Sequence, residues 1–216
     1  TYQDERGITI SMKIGSKTRN LFISPDNKTF HTDLTLTNDY ERHYILYLVR
    51  IAYGMAAIHN QTIKIHASVI EKEGKALAFL GKSGTGKSTH SRLWLEHVPG
   101  CTLLNDDEPL VRLMDNGTVR IHGAPWSGST PCYRNEWAEL SAFVHLYQSP
   151  VNKLTPLKGI DAFTSFFKSA SQLSADKKGR EQTFNLITAI LGKVPYYRLD
   201  NRANRESVSF TETLMR

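Results

Sequence analysis

A glycine-rich run has the residue types and spacing that bind phosphate groups. Gly81-Lys82-Ser83-Gly84-Thr85-Gly86-Lys87-Ser88 fits the pattern G-x-x-x-x-G-K-[ST], with an apolar segment before it and a predicted helix after it. Glycines let the backbone curl so that N–H groups point inward, and the helix adds its positive N-terminal end. Lys87 would then reach the phosphates of ATP, and the Ser88 hydroxyl would bind magnesium. The predicted nucleotide-binding residues are Gly81, Ser83, Gly84, Thr85, Gly86, Lys87, Ser88 and Thr89.

Two neighbouring carboxylates, Asp106 and Asp107, follow the short apolar segment 101–104. If that segment is a strand beside the one that feeds the glycine-rich run, both acids should face the phosphates, because ligands lie beyond the carboxyl ends of such strands. Adjacent residues of an extended chain point in opposite directions, so we expect different roles for the two acids. One could hold magnesium while the other takes a proton from an attacking hydroxyl. The alternative is a turn or helix-capping cluster, which is common for Asp-Asp-Glu-Pro.

Hydrophobic periodicity indicates the elements that must position these residues. Alternation predicts an N-terminal β-rich region with strands near 8–14, 21–23 and 32–36, followed by a helix over 39–60. We place a domain boundary at 60/61, which separates a small β-plus-helix region (1–60) from a main domain (61–216). In the main domain we predict strands near 63–70, 76–80, 101–104, 110–113, 119–121, 142–146 and 196–199, and helices near 87–97, 159–173, 179–192 and from 205. This pattern predicts an α/β domain with a mixed sheet.

Composition excludes several classes of protein. With 216 residues, 40% hydrophobic and 22% charged, the chain is neither disordered nor fibrous, and its two cysteines make no disulfide framework. We expect Cys101 and Cys132 to be buried free thiols. Free thiols are typical of a reducing compartment, so we predict a cytoplasmic protein. The most apolar stretch, 45–58, is too short for a membrane span and contains Arg50, so we expect no membrane association.

The net charge of +6 is concentrated in residues 151–216. Such a surplus suits an anionic partner such as nucleotide phosphates or an acidic protein. Nucleic acid is disfavoured, because we find no aromatic-plus-basic RNA-binding motif. We predict a solvated basic face at Arg198, Arg202 and Arg205. The alternative is that these arginines contact the nucleotide or the acceptor.

Three segments together resemble the HPr kinase/phosphorylase family, whose wider group shares its fold with ATP-dependent phosphoenolpyruvate carboxykinase. They are Ile65-His66-Ala67-Ser68-Val69-Ile70, the glycine-rich run, and Leu103-Leu104-Asn105-Asp106-Asp107, and the match covers roughly 61–125. The resemblance implies a mixed-sheet P-loop domain of that type, with His66 beside the transferring phosphate. It also implies that Asp106 is the general base and that Asp107 binds magnesium. For His66 the alternative is a hydrogen-bonded strand histidine.

The chain departs from that family after the acid pair. Where HPr kinases carry Glu-Ile-Arg-Gly, with a metal-binding acid, this chain has Arg120-Ile121-His122-Gly123. A cation in place of an anion is not conservative, so we expect an acceptor other than HPr. We expect the polar segment 126–135 to form a lid or acceptor pocket. There we predict that Arg134 is a second cation on the transferring phosphoryl group, the alternative being a surface arginine.

The sequence therefore predicts magnesium- and ATP-dependent phosphoryl transfer to a hydroxyl. The acceptor would be a Ser or Thr of a protein or peptide, or a small hydroxylated metabolite. The predicted catalytic residues are Asp106, His66, Lys87 and Arg134, and the predicted metal ligands are Ser88 and Asp107. The alternative is a nucleotide-sensing module without productive transfer. The resemblance also allows assembly as a homo-oligomer, since HPr kinases are oligomeric.

Overall fold

The structure is a computed structural model that describes residues 1–128, 130–171 and 176–215. It divides the chain into two compact units. The first contains residues 1–60 with 176–183, and the second contains residues 61–171 with 184–215. Among the residues that the structure describes, no helix has the length and apolarity needed to cross a bilayer.

The first unit contains an antiparallel sheet of four strands in chain order. These are β1 (Tyr2–Asp4), β2 (Gly7–Ile14), β3 (Lys17–Ile23) and β4 (Phe30–Thr32), followed by helix α1 (Asp39–Ala57) and a 3₁₀ turn (Ile58–Asn60). Buried apolar residues of β2 and β3, Ile10 and Leu21 among them, pack with Leu48 and Met55 of α1. The period-two and period-three-to-four patterns thus predicted the element types, although β4 overlaps the strand predicted near 32–36 only at Thr32.

The second unit contains nine strands and most of the helical residues that follow α1. Its strands are β5 (Thr62–Lys64), β6 (Ala67–Lys72), β7 (Lys75–Leu80), β8 (Thr102–Asp107), β9 (Leu110–Leu113), β10 (Val119–His122), β11 (Trp137–Gln148), β12 (Lys153–Leu157) and β13 (Tyr196–Asn201). The helices are α2 (Lys87–His97), α3 (Gly159–Phe167), α4 (Lys177–Leu191), whose first residues belong to the first unit, and α5 (Arg205–Glu212), followed by a 3₁₀ turn (Thr213–Met215). The predicted helix over 159–173 ends at Phe167, and positions 172–173 lie outside the described residues.

The nine strands form one mixed sheet in the order β5-β9-β10-β11-β7-β6-β8. One side of β11 pairs with two strands in turn. Its first half pairs antiparallel with β10, and its second half pairs parallel with β13. β12 pairs antiparallel with β13. This confirms the predicted mixed α/β class. The expected adjacency of β7 and β8 is wrong, because β6 lies between them and pairs antiparallel with both.

The β6–β7 hairpin and helix α2 bring the glycine-rich run to the sheet. The two-residue turn Glu73-Gly74 has positive φ at both positions (52° and 79°), the geometry that matches the twist of a hairpin. α2 packs on one face of the sheet, where the fully buried Trp94 meets Phe79 and Leu77 of β7. Because β7 is buried from Ala76 to Leu80, the glycine-rich loop starts from a rigidly packed strand end.

His90, on the face of α2 that packs against the sheet, is fully buried. Its ring lies edge-on to Phe79 with 4.6 Å between ring centroids, and its Nε2 lies 3.3 Å from Thr211 Oγ1 of α5. Burial lowers the pKa of His90 to about 4. The folded protein therefore keeps this histidine neutral at pH values where an exposed histidine is protonated.

We expect the free energy of unfolding to fall as the pH drops below 6.5. The unfolded chain then takes up a proton at His90 that the folded chain does not bind until the pH approaches 4. At pH 5 this difference costs about 2 kcal/mol of stability. Urea unfolding at pH 7 and pH 5, followed by tryptophan fluorescence, measures it, because all three tryptophans lie in the second unit. His90→Gln should reduce the loss between pH 7 and pH 5 by about this amount, while buried His145, whose pKa is also lowered to about 4, keeps its own share. The exposed His59→Gln should leave the pH dependence as in the wild type.

Candidate functional site

The glycine-rich loop and the acid pair meet at one edge of the nine-stranded sheet. β7 and β8 run parallel to each other because both are antiparallel to β6, so their carboxyl ends lie at the same edge. Ala67, at the start of β6, lies opposite both Leu80, which precedes the loop, and Asp107, which ends β8. The intervening strand changes the spacing of loop and acids but not the edge at which they meet.

The glycine-rich loop wraps around its own lysine. Lys87 Nζ donates to the carbonyl oxygens of Gly81 (2.9 Å) and Lys82 (3.2 Å), and the Thr85 hydroxyl donates to the Lys82 carbonyl (2.8 Å). At Gly81, with φ of +146°, a Cβ would lie 2.5 Å from Thr85 Oγ1, so the curl requires glycine there. Gly86, with φ of +98°, is the N-cap of α2 and has no side chain to cover the first N–H groups. The loop thus presents a helix N-terminus and an ammonium group to one space.

Asp106 contacts the loop. Its side chain is buried, and its Oδ1 accepts a hydrogen bond from Ser88 Oγ at 2.9 Å. The strand register explains why the Asp106 side chain points this way. Asp106 lies opposite Ser68 of β6, and the Ser68 hydroxyl is 2.7 Å from the Ser91 hydroxyl of α2. Asp106 therefore points to the face that carries α2.

Asp107 points to the other face, as the alternation of an extended strand predicts. Its Oδ1 lies 3.7 Å from His66 Nδ1, and its side chain is partly exposed. The pKa of His66 is lowered, first by burial and then by the nearby ammonium of Lys87, against the opposing effect of the carboxylates of Asp107, Glu108 and Asp106. At neutral pH the contact is therefore one between a neutral imidazole and a carboxylate.

These residues enclose a cleft of about 330 Å³, a size at the lower end of ligand sites. It is lined by His66, Ala67, Ser83, Gly84, Gly86, Lys87, Ser88, Thr89, Asp106, Asp107 and Gly128. The structure therefore brings together most of the predicted site residues, while Gly81 and Thr85 shape the loop behind it. Burial lowers the pKa of Lys87, and Asp106 and Asp107 oppose that shift.

Two residues of this region were missed in the sequence. The Gly128 N–H donates to the Asp106 carbonyl at 2.7 Å, and a Cβ at Gly128 would lie 2.5 Å from that oxygen. Gln148, at the end of β11, donates from Nε2 to the Gly84 carbonyl at 3.1 Å. The glycine- and proline-rich composition of the segment was a signal for Gly128, but the sequence carried none for Gln148, whose contact depends on strand order.

Arg134 lies away from the cleft. Its guanidinium donates to Thr102 Oγ1 (2.7 Å) and the Leu103 carbonyl (2.9 Å), and it pairs with Glu136. Thr102 begins β8, so five residues of strand, about 16 Å, separate it from Asp107. The prediction that Arg134 contacts the transferring phosphoryl group is therefore not supported, because the chain at this point is returning to the far end of the sheet to begin β11.

The segment expected to form a lid packs against β8 in its described part. The Trp126 indole donates to the Glu108 carbonyl at 2.9 Å, and its backbone carbonyl accepts from the buried Asn105. Ser129 lies outside the described residues. Arg120 also lies elsewhere, with its guanidinium 3.6 Å from the ring centroid of Trp137 at the start of β11. The arginine that departs from the HPr kinase pattern thus does not face the acid pair.

The donor set suits a magnesium ion held partly by substrate. In the described ranges, no group of three or more His, Cys, Asp or Glu side chains is arranged to bind a metal. Ser88 and Asp106 instead offer a hydroxyl and a carboxylate oxygen 2.9 Å apart. Magnesium in nucleotide sites is typically held by one or two such oxygens together with phosphates and waters, so the residues fit this ion.

Comparison with known proteins places the chain in a family. Residues 34–213 match the family model described as "SynChlorMet cassette protein ScmC". The chain belongs to the ScmC family. The matched span includes every residue that lines the cleft, so the candidate site lies within the part of the chain that defines ScmC membership.

Two further proteins are similar to this ScmC-family chain. The nickel import ATP-binding protein NikE of Rhodospirillum rubrum is 32% identical over 97 residues, which are 44% of this chain and 29% of that protein. The chain thus spans less than a third of the length of that relative. An HPr(Ser) kinase/phosphatase from Coxiella burnetii is similar in structure with a TM-score of 0.40 and 13% identity, covering 70% of this chain and 87% of that one.

Proposed function

We propose that this ScmC-family chain is a magnesium- and ATP-dependent phosphotransferase that phosphorylates a hydroxyl group. The observation that carries the proposal is that the two acids of one cleft have different partners. Asp106 accepts a hydrogen bond from Ser88 of the loop, and Asp107 lies beside His66. A pocket that only holds a triphosphate needs the loop and one acid. A second carboxylate facing the cleft supplies the group that phosphoryl transfer to a hydroxyl requires.

The loop would bind the phosphates. The backbone N–H groups of the glycine-rich run and the N-terminus of α2 would contact phosphate oxygens, as the sequence pattern indicates. Lys87 would exchange its bonds to the loop carbonyls for bonds to the β- and γ-phosphates, so its ammonium would neutralise charge during transfer. The similarity to an ATP-binding protein, NikE, is in keeping with this nucleotide assignment.

Ser88 and Asp106 would hold magnesium. When bound, the ion neutralises charge on the β- and γ-phosphates. The resemblance to HPr kinases implies Asp107 as the metal ligand and Asp106 as the base, but the contacts favour the reverse. Asp106 is buried and already bonded to the Ser88 hydroxyl, whereas Asp107 is partly exposed on the other face of the strand.

Asp107 would act as the general base. Its carboxylate takes the proton of the acceptor hydroxyl as the hydroxyl oxygen forms a bond to the γ-phosphorus. The bond from that phosphorus to the β–γ bridging oxygen breaks, and ADP leaves with the bond's electron pair. His66 stays neutral because burial and Lys87 lower its pKa, so it lines the cleft 3.7 Å from the Asp107 carboxylate without neutralising it.

Transfer of label from γ-labelled ATP tests the proposal. The protein, Mg²⁺ and labelled ATP are incubated with a cell extract and with synthetic serine peptides, and acid-stable labelled products are separated. We expect a labelled acceptor that forms only with Mg²⁺ present. Tight binding of ATP without transfer to any acceptor would favour a nucleotide-sensing module, and failure to bind ATP would contradict both functions. The Arg120 departure does not favour the sensing module, because Arg120 is stacked on Trp137 away from the acid pair.

A further inference from the structure

A row of directly paired residues crosses the sheet at the edge that carries the cleft. Asp107 lies opposite Ala67, Ala67 opposite Leu80, Leu80 opposite His145, and His145 opposite Arg198. Directly paired residues share a face, so all five belong to the face away from α2. The proposed base and Arg198 therefore stand at the two ends of one row on the same face, and the three residues between them are buried.

The far end of this row carries a basic shelf, which we define as His145, Tyr147, Lys168 and Arg198. The Arg198 guanidinium lies 4.2 Å from the ring centroid of Tyr147, and the His145 ring stacks on the same tyrosine at 4.9 Å. Asp200 accepts from Arg198 at 2.7 Å and fixes its orientation. The Arg198 side chain is still 43% exposed, and Lys168 is exposed at the end of α3.

Two contacts tie the shelf to the cleft. Gln148, next to Tyr147, holds the Gly84 carbonyl of the glycine-rich loop. On the other side, the Ser169 carbonyl accepts from the His66 backbone N–H at 2.7 Å, which ties the segment that follows α3 to the backbone of the cleft histidine.

The positive charge of the shelf comes from Lys168 and from Arg198, which is paired with Asp200, whereas His145 is neutral at neutral pH. His145 Nδ1 lies 2.7 Å from Ser165 Oγ and 3.2 Å from the Tyr196 hydroxyl. Burial first, and then the cations Lys87, Lys168 and Arg198, lower the pKa of His145 to about 4. The effect of Lys168 and Arg198 on this ring is consistent with both cations lying near it.

We propose that the basic shelf binds an acidic side chain of a peptide acceptor, an inference that rests on the proposed phosphotransferase function. Four strand spacings separate Asp107 from Arg198, about 15–20 Å along the curved row. An extended peptide covers that distance in about five residues. The acceptor is therefore a Ser or Thr with an Asp or Glu about five positions away, and a small hydroxylated metabolite cannot make both contacts.

Binding and labelling of matched peptides test this inference. The probes are fluorescein-labelled peptides with one serine and an Asp-Glu pair five residues to either side, and versions with Lys-Lys in place of the acidic pair. We expect at least one acidic peptide to bind about tenfold more tightly than its basic version at low salt. Lys168→Met/Arg198→Met should remove the preference, and Lys168→Glu, a single change at an exposed position, should shift it toward the basic peptide.

Lys158→Met/Arg205→Met is the matched control, since it removes the same charge from exposed positions outside the shelf. It should keep the wild-type preference. Equal binding of acidic and basic peptides, or a preference that survives in the shelf double variant, overturns the inference. Charge-selective binding without label transfer contradicts the phosphotransferase function alone, whereas label transfer without charge selectivity contradicts the shelf alone.

Discussion

Asp107→Asn is expected to reduce phosphoryl transfer by about 10²–10⁴-fold, the contribution of a general base, while ATP affinity in Mg²⁺ stays near that of the wild type. Asparagine keeps the size of the side chain but cannot take the acceptor proton. Asp107 faces away from α2 and lies 3.7 Å from His66 rather than on the loop serine. The measurements are the initial rate of label transfer and the affinity for a fluorescent ATP analogue with and without Mg²⁺.

Asp106→Asn should give the complementary result. It removes the charge that accepts from Ser88, so the Mg²⁺-dependent gain in ATP affinity should fall by about 10–100-fold. Asp115→Asn, in the exposed turn between β9 and β10, is the matched control and should change neither quantity. If Asp106→Asn abolishes transfer and keeps the magnesium-dependent affinity, while Asp107→Asn loses that affinity, the roles implied by the HPr kinase resemblance are right and those assigned from the contacts are wrong.

Lys87→Met should reduce transfer by about 10²–10³-fold, because one preorganised cation is lost where charge develops on the γ-phosphoryl group. ATP affinity should also fall, by roughly tenfold or more, since charge-assisted bonds to phosphate are lost. The lysine also bonds to the Gly81 and Lys82 carbonyls, so the loop should be less ordered without it.

Lys75→Met is the control for Lys87→Met. Lys75 is an exposed lysine at the start of β7, at the end of that strand away from the glycine-rich loop, so the chemical change is identical and the phosphate site is untouched. Its transfer rate and ATP affinity should match those of the wild type. Equal losses of transfer rate and ATP affinity in both variants would show that the losses follow from removing any positive charge rather than from changing the loop. A Lys87→Met enzyme with wild-type transfer would contradict the role assigned to this lysine.

The glycine-rich loop and its supports could be predicted because the relevant signals are local. A glycine run needs a strand before it and a helix after it to form a phosphate site, and both were visible as an apolar segment and a helical period in neighbouring residues. β7 and α2 follow those signals. The opposite directions of Asp106 and Asp107 were equally predictable, since they follow from the two-residue repeat of any strand.

Strand order was not predictable from these signals. β8 was expected beside β7, yet β6 separates them, and that depends on which strand edges pair after long chain excursions. Arg134 illustrates the same limit, because the chain between β10 and β11 returns to the far end of the sheet and carries the arginine to Thr102 instead of the cleft.

The sequence by itself determined the loop, its helix and the presence of two differently oriented acids, because each depends on residues within one turn or one strand. Only the tertiary structure decided which acid meets Ser88, that Gln148 and Gly128 support the site, and that His145 and Arg198 lie in line with Asp107. Those relations join residues 18 to 91 positions apart, and register and face are set by the packing of the whole sheet rather than by any local preference.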